Sequence, residues 1–150
     1  MKPRPRILPL AWLLICFLAQ GGLHFYLPLA QLLASPLHWS GIVPLLCGIV
    51  IMVSGAGAFR RQDTPLIPFE TSTALVTSGP FKFTRNPMYL GMVLILTGIA
   101  MLFGSVTPIL AVVIFFFIIR AQYVIPEEIM MVELFGDEYR HYCSRVRRWV

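Results

Sequence analysis

Two carboxylates in tandem, Glu127-Glu128, and the stretch Arg85-Asn86-Pro87-Met88-Tyr89 set charge against long apolar runs. Charge at such a boundary is costly to bury, so it marks either membrane topology or chemistry. A carboxylate partly shielded from water grips a cation far better than one in solvent, because the Coulomb attraction grows as the local dielectric falls. The pair also has a plainer reading: acidic residues in the first turn after Pro126 complement the dipole of a new helix. Arg85 to Tyr89 has two readings as well. Arginine near a helix start snorkels and enforces topology, proline is tolerated in a first turn, and tyrosine belongs to the interfacial belt. Those roles do not account for the turn Thr77-Ser78-Gly79-Pro80-Phe81 just before it. Backbone amides around Ser78 and Gly79, with a helix N-terminus near Pro87, can receive an anionic group. Phe81, Phe83 and Tyr89 can offer a flat surface to a planar ring.

The elements that must hold these groups are membrane helices. Of the 150 residues, 57% are hydrophobic and only 13% are charged, about half of the roughly 25% typical of soluble domains. The length suits one domain, residues 1–150. Crossing a hydrocarbon core of about 30 Å takes about 20 helical residues. Four segments approach that length: roughly Ile7 to Leu33, Gly41 to Phe59, Met88 to Phe103 and Val106 to Ile125. Gly21, Gly22, His24 and Pro28 interrupt the latter half of the first. Small residues at Ser54 to Ala58, Gly91, Gly98 and Ala100 allow close approach of the second and third. The link Gly104 to Pro108 makes the third and fourth a hairpin, which returns Arg85–Tyr89 and Arg120–Glu128 to one membrane face. Past Pro126 the pattern reads as an interfacial amphipathic helix, with Ile129, Val132, Phe135 and Tyr139 at helical spacing and Gly136 able to bend it.

All 12 lysines and arginines fall in the N-terminal stretch, the Arg60–Arg85 loop or the region from Arg120 onward, and none in the two intervening gaps. The positive-inside rule then puts both termini and the Arg60–Arg85 loop in the cytoplasm, with every Asp and Glu on that side. The net charge of +5 therefore sets orientation and does not point to nucleic acid. Lys2, Arg4 and Arg6 ahead of an apolar run also fit a secretory signal. The run continues through Phe25 to Leu33 without a small-x-small cleavage site, so an uncleaved first helix is expected. Cys16, Cys47 and Cys143 have no metal-ligand spacing, and neither a metal nor a disulfide is expected. His24 reads as packed or hydrogen-bonded, His38 lies on the face opposite the charged motifs, and His141 belongs to a basic tail suited to anionic lipid headgroups.

Taken together, Leu75 to Phe81 (Leu-Val-Thr-Ser-Gly-Pro-Phe), Arg85 to Tyr89, Glu127-Glu128 and Phe135-Gly136-Asp137-Glu138-Tyr139 resemble, in order and spacing, the isoprenylcysteine carboxyl methyltransferase family and its relatives, the membrane phospholipid methyltransferases. The resemblance covers roughly Thr73 to Arg148. It implies an all-α, polytopic integral membrane fold of about four transmembrane helices with a C-terminal cytoplasmic amphipathic helix. It also implies an S-adenosylmethionine-dependent enzyme acting on a lipid-borne acceptor that reaches the site laterally between helices. Carried over, the residues around S-adenosylmethionine are Thr73, Ala74, Leu75, Val76, Phe81, Asn86, Pro87, Met88, Tyr89 and Glu127. Two positions depart from the pattern. The family's histidine is Asn86 here, which removes a titratable ring and keeps hydrogen-bonding capacity. The enzymes that methylate prenylcysteine carry a substrate-holding arginine one turn before the glutamate, and that position is Tyr123. Arg120, seven residues before Glu127 and on roughly its face of a regular helix, is the expected substitute. A carboxylate acceptor needs no general base, whereas an amine must first lose a proton. With no histidine in the motif, a prenylcysteine-like carboxylate is the favoured acceptor; a phosphatidylethanolamine-type amine and a non-catalytic protein keeping the fold are the alternatives.

Overall fold

The computed structural model describes residues 7–62 and 74–150. The chain is an all-α membrane protein. Among the described residues there is no strand, only an isolated antiparallel bridge between Gln31 and Ser105. The helices are α1 (Pro9–Tyr26), α2 (Ile42–Arg60), α3 (Pro87–Phe103), α4 (Pro108–Ile119) and α5 (Ile125–Arg145). Three helical runs, Pro9–Tyr26, Leu37–Arg60 and Pro108–Arg145, are long and apolar enough to cross a membrane, and Pro87–Phe103 is a shorter apolar helix. The 17 residues of α3 extend about 26 Å at 1.5 Å per residue, close to a bilayer core. Proline opens α1, α3 and α4, where its missing N–H costs nothing and its fixed φ suits the first turn.

The first helix is shorter than the apolar run that contains it. It ends at Tyr26, and Leu27 leaves helical geometry because the residue before a proline is pushed toward extended conformations. The rest of the run folds over the α3–α4 turn: Leu32 and Leu33 donate to the Gly104 carbonyl, and Val106 donates to that of Ala30. Gly104 has φ +72°, and a Cβ there would lie 2.6 Å from the Leu33 carbonyl oxygen. The left-handed cap and the close loop both require glycine.

The antiparallel pair α2 and α3 is joined by facing glycines. Gly41 sits against Gly98 and Gly48 against Gly91, so that an added Cβ at any of the four would lie 2.5–2.6 Å from the partner's carbonyl oxygen. Such backbone proximity is how helices gain packing energy in lipid, where no hydrophobic driving force acts between them. The stripe uses Gly48, outside the small-residue run Ser54 to Ala58, while Gly57 within that run has nothing within 4 Å. On the other side of α3, Leu96, Phe115, Ile119 and Tyr123 are fully buried with Cys16 and Met92. Polar side chains tie α1 in. Gln20 donates to the carbonyls of Leu96 (2.9 Å) and Pro108 (3.3 Å), Thr107 donates to that of Leu23, and His24 pairs with Ser105 while stacking on Phe103.

Helix α4 does not stop where a separate interfacial helix was expected to begin. It runs through a wide π turn, Arg120–Val124, directly into α5. Pro126 explains the widening: its ring would collide with the carbonyl four residues back in a regular helix, and a π turn makes room without breaking the rod. The bend foreseen at Gly136 is present, with φ 52° and ψ −121° inside α5.

Candidate active site

The hairpin and the bent α5 bring the charged motifs to one end of the bundle. The turn Gly79–Lys82 is held there by the Tyr142 hydroxyl, which donates to the Phe81 carbonyl at 2.6 Å. Burial pushes the Tyr142 phenol up to about 12, so it stays a protonated donor at physiological pH. The last residues return along the same loop. Arg85 N–H donates to the Arg147 carbonyl at 3.0 Å, and the Thr84 hydroxyl and Asn86 amide both donate to that of Arg148 at 3.1 Å. Asn86, at the position of the family's histidine, thus fastens the C-terminal segment to the start of α3.

These contacts line a cavity of about 100 Å³ that opens to solvent. Ala74, Leu75, Val76, Phe81, Asn86, Pro87, Met88, Tyr89 and Glu127, drawn from four separate stretches of sequence, all line it. Thr73 lies outside the described residues. Arg85, Glu128, Tyr139 and Tyr142 complete the polar wall, and Phe59, Met130 and Met131 the apolar one. Most of these additions come from α5, where helical periodicity marks a buried face without saying what that face touches.

The two glutamates have different surroundings. Glu128 is gripped by Arg148 through both carboxylate oxygens (3.0, 3.0 and 2.6 Å) and approached by Arg85 at 3.5 Å. Glu127 accepts a 2.7 Å hydrogen bond from the Tyr89 hydroxyl at Oε1 and has no ion-pair partner among the described residues. It lies two residues past Ile125, the end of the apolar stretch that the sequence expects to span the membrane. Desolvation inside the cavity raises its carboxyl to about 7, with the Tyr89 hydrogen bond acting the other way. Because the helix arrives unbroken from α4, the pair does not cap a free N-terminus, and the plainer helix-start reading loses its structural basis.

Arg120 is exposed and lies outside the cavity lining. The seven-residue spacing to Glu127 assumes α-helical turns throughout. The π turn adds one residue, which rotates Arg120 away from the Glu127 face by about 100°. Tyr123, buried, hydrogen-bonds the Ile7 carbonyl and holds the start of α1.

The profile of the phospholipid methyltransferase family matches residues 36–138. The chain belongs to the phospholipid methyltransferase family. An uncharacterized protein of Haemophilus influenzae is 40% identical over 63 residues, 42% of this chain and all of that protein. The protein-S-isoprenylcysteine O-methyltransferase of Schizosaccharomyces pombe is 32% identical over 72 residues, 48% of this chain and 30% of that protein. No solved structure matches. Family and relative together make this a membrane methyltransferase, as the motifs implied, and the family's matched region takes in the whole turn, hairpin and glutamate pair.

Proposed function

We propose that the cavity binds S-adenosylmethionine at the cytoplasmic membrane face and that the chain transfers its methyl group to a lipid-borne acceptor. One observation carries this reading: Glu127 is a desolvated carboxylate with a tyrosine partner and no cationic partner among the described residues. An unmatched charge in a cavity is costly unless a ligand matches it. The donor's α-ammonium and sulfonium are the cations that would do so, bound by a charge-assisted hydrogen bond. Phe81 and the segment Ala74–Val76 offer an apolar wall for the adenosine, and the donor would supply an activated methyl group. The chain's own part is positioning, since in-line displacement depends on holding acceptor and methyl carbon in attack geometry. Phe59, Met130 and Met131 give the acceptor's hydrocarbon an adaptable apolar approach.

The favoured acceptor is a prenylcysteine-like carboxylate, supported by the likeness to the S. pombe enzyme. A phosphatidylethanolamine-type amine is the second reading. It is favoured by the family's description. Calorimetric titration with S-adenosylmethionine tests donor binding, and absence of binding overturns the reading. Methyl transfer to a prenylcysteine analogue and to phosphatidylethanolamine, assayed side by side, separates the acceptors. The proposed orientation, both termini cytoplasmic, follows from the lysine and arginine distribution. In a variant lacking its native cysteines, a cysteine at His38 should react with an impermeant reagent from outside and one at His141 should not; the reverse labelling inverts the topology.

A further inference from the structure

Arg85 is poorly paired for a guanidinium in its position. Its side chain is 14% exposed and lines the cavity. Its Nε is buried with no hydrogen-bond partner among the described residues. One Nη1 contact goes to the Cys143 thiol, a weak acceptor, and the other is the 3.5 Å approach to Glu128. That carboxylate is already committed to Arg148 on both oxygens. Two guanidiniums therefore share one carboxylate: Arg85 and Glu128 line the cavity, Arg148 holds Glu128 from outside that lining, and the three together carry a net positive charge. Glu127 lines the same cavity and has no ion-pair partner among the described residues.

We infer that Arg85 forms an oxyanion subsite, receiving a carboxylate or phosphate group of a bound ligand, while Arg148 neutralises Glu128 and so leaves the charge of Arg85 available. This rests on the methyltransferase reading and adds to it a charge pattern: a cation is recognised at Glu127 and an anion at Arg85. Arginine suits the task because its planar fork presents several donors to two oxygens at once. Two ligands can bring that oxyanion. The methyl donor has a carboxylate beside its ammonium, and an acceptor can carry a carboxylate or a phosphodiester. The cluster is also tied to the C-terminal segment, whose Arg147 and Arg148 carbonyls take hydrogen bonds from residues 84–86. An anion settling on Arg85 would thus sit where the tail and the motif loop are pinned together.

The test compares wild type with Arg85→Gln by calorimetry, using S-adenosylmethionine and its decarboxylated analogue, and by steady-state methyl transfer to the better of the two acceptors. If the donor's carboxylate occupies the subsite, wild type prefers the carboxylated donor by about ten-fold or more, and Arg85→Gln abolishes the preference while leaving the decarboxylated analogue unaffected. If the acceptor's anion occupies it, donor binding is unchanged and the acceptor's KM rises about ten-fold. Loss of neither overturns the inference while leaving donor binding intact. Wild type that binds neither donor overturns this inference and the proposed function together. Should Arg85→Gln fail to fold, Glu128→Gln decides: removing the competing carboxylate should tighten binding of the carboxylated donor or lower the acceptor's KM. Weakening of both means the arginines only brace Glu128.

Discussion

The two ends of this helical bundle satisfy their polar groups in opposite ways. At the end formed by the α3–α4 turn the bonds run between uncharged donors and acceptors and most are matched: Gly104 caps α3 and accepts from Leu32 and Leu33, His24 meets Ser105, and Gln20 donates twice, its Oε1 alone lacking a partner among the described residues. At the other end the groups are charged and unevenly matched, with two arginines on Glu128 and none on Glu127. Satisfied polar groups in lipid rigidify, and unsatisfied charges are expensive and mark function. The first end is therefore scaffold, and the second is where ligand must complete the chemistry. Within the charged end the same lesson holds for adjacent residues: Glu128 is structural because it is fully engaged, and Glu127 is available because it is not.

The largest expected effect lies in the scaffold. Gly48→Ala would put a Cβ 2.5 Å from the Gly91 carbonyl oxygen and 2.8 Å from the Ile95 nitrogen, both backbone. Forcing α2 and α3 apart should cost about 3 kcal/mol, read as a fall in thermal stability in detergent. Gly57→Ala, with open space around it, should be neutral or gain up to about 1 kcal/mol. Equal effects would mean that the glycine stripe does not hold the pair together.

Next comes Glu127→Gln, which should weaken S-adenosylmethionine binding about ten- to hundred-fold, the equivalent of about 1.5–3 kcal/mol for a hydrogen bond to a charged group. Its thermal stability should hold or rise, since a desolvated charge is removed. Unchanged affinity with reduced stability would make Glu127 as structural as its neighbour. Gln20→Leu tests the opposite end: losing its two bonds should cost about 0.6–2 kcal/mol and leave donor affinity alone. If donor affinity fell as well, the division between the two ends would fail.

Glu127 also sets opposite pH dependences for the empty and the ligand-bound protein. Its carboxyl is raised from 4.5 to about 7, so the folded state binds the proton more tightly than the unfolded one. That contribution to stability is fully present below about pH 4.5 and is lost as pH rises through about 7. Donor binding needs the carboxylate, so affinity should increase from pH 6 to 7.5. In Glu127→Gln both slopes should flatten; a slope that survives the substitution belongs to another group. The smallest effect is expected of Arg120→Gln, which should leave donor affinity and acceptor KM within about two-fold. A ten-fold rise in acceptor KM would return the acceptor's anion to the residue that spacing alone singles out.

What could be read from sequence depended on how local each cause was. Apolar runs, prolines at helix starts and the Gly104 turn act within a few residues, and they gave α2, α3 and the hairpin to within a residue or two. The cavity's lining from Ala74 to Tyr89 came from motif resemblance, because the motif packs its own neighbours. Three features were hidden because their causes are not local. Arg148 meets Glu128 across 20 residues and the Thr84–Asn86 loop across more than 60, and no periodicity encodes that return. Gly48 looks like any glycine in an apolar helix until Gly91 is known to face it. Arg120 was placed by counting regular turns, and Pro126 changes the turn itself.

That widened turn acts as a phase setting between membrane and active site. Upstream of Arg120 the rod is indexed by its contacts with α1 and α3, and downstream it is indexed by Glu127 and Glu128. One residue more or fewer between Ile119 and Pro126 would leave composition, hydropathy and crossing length unchanged, yet turn both carboxylates by about 100° away from Tyr89 and Arg148. Single-residue insertions and deletions there should be far less tolerated than substitutions at the same positions.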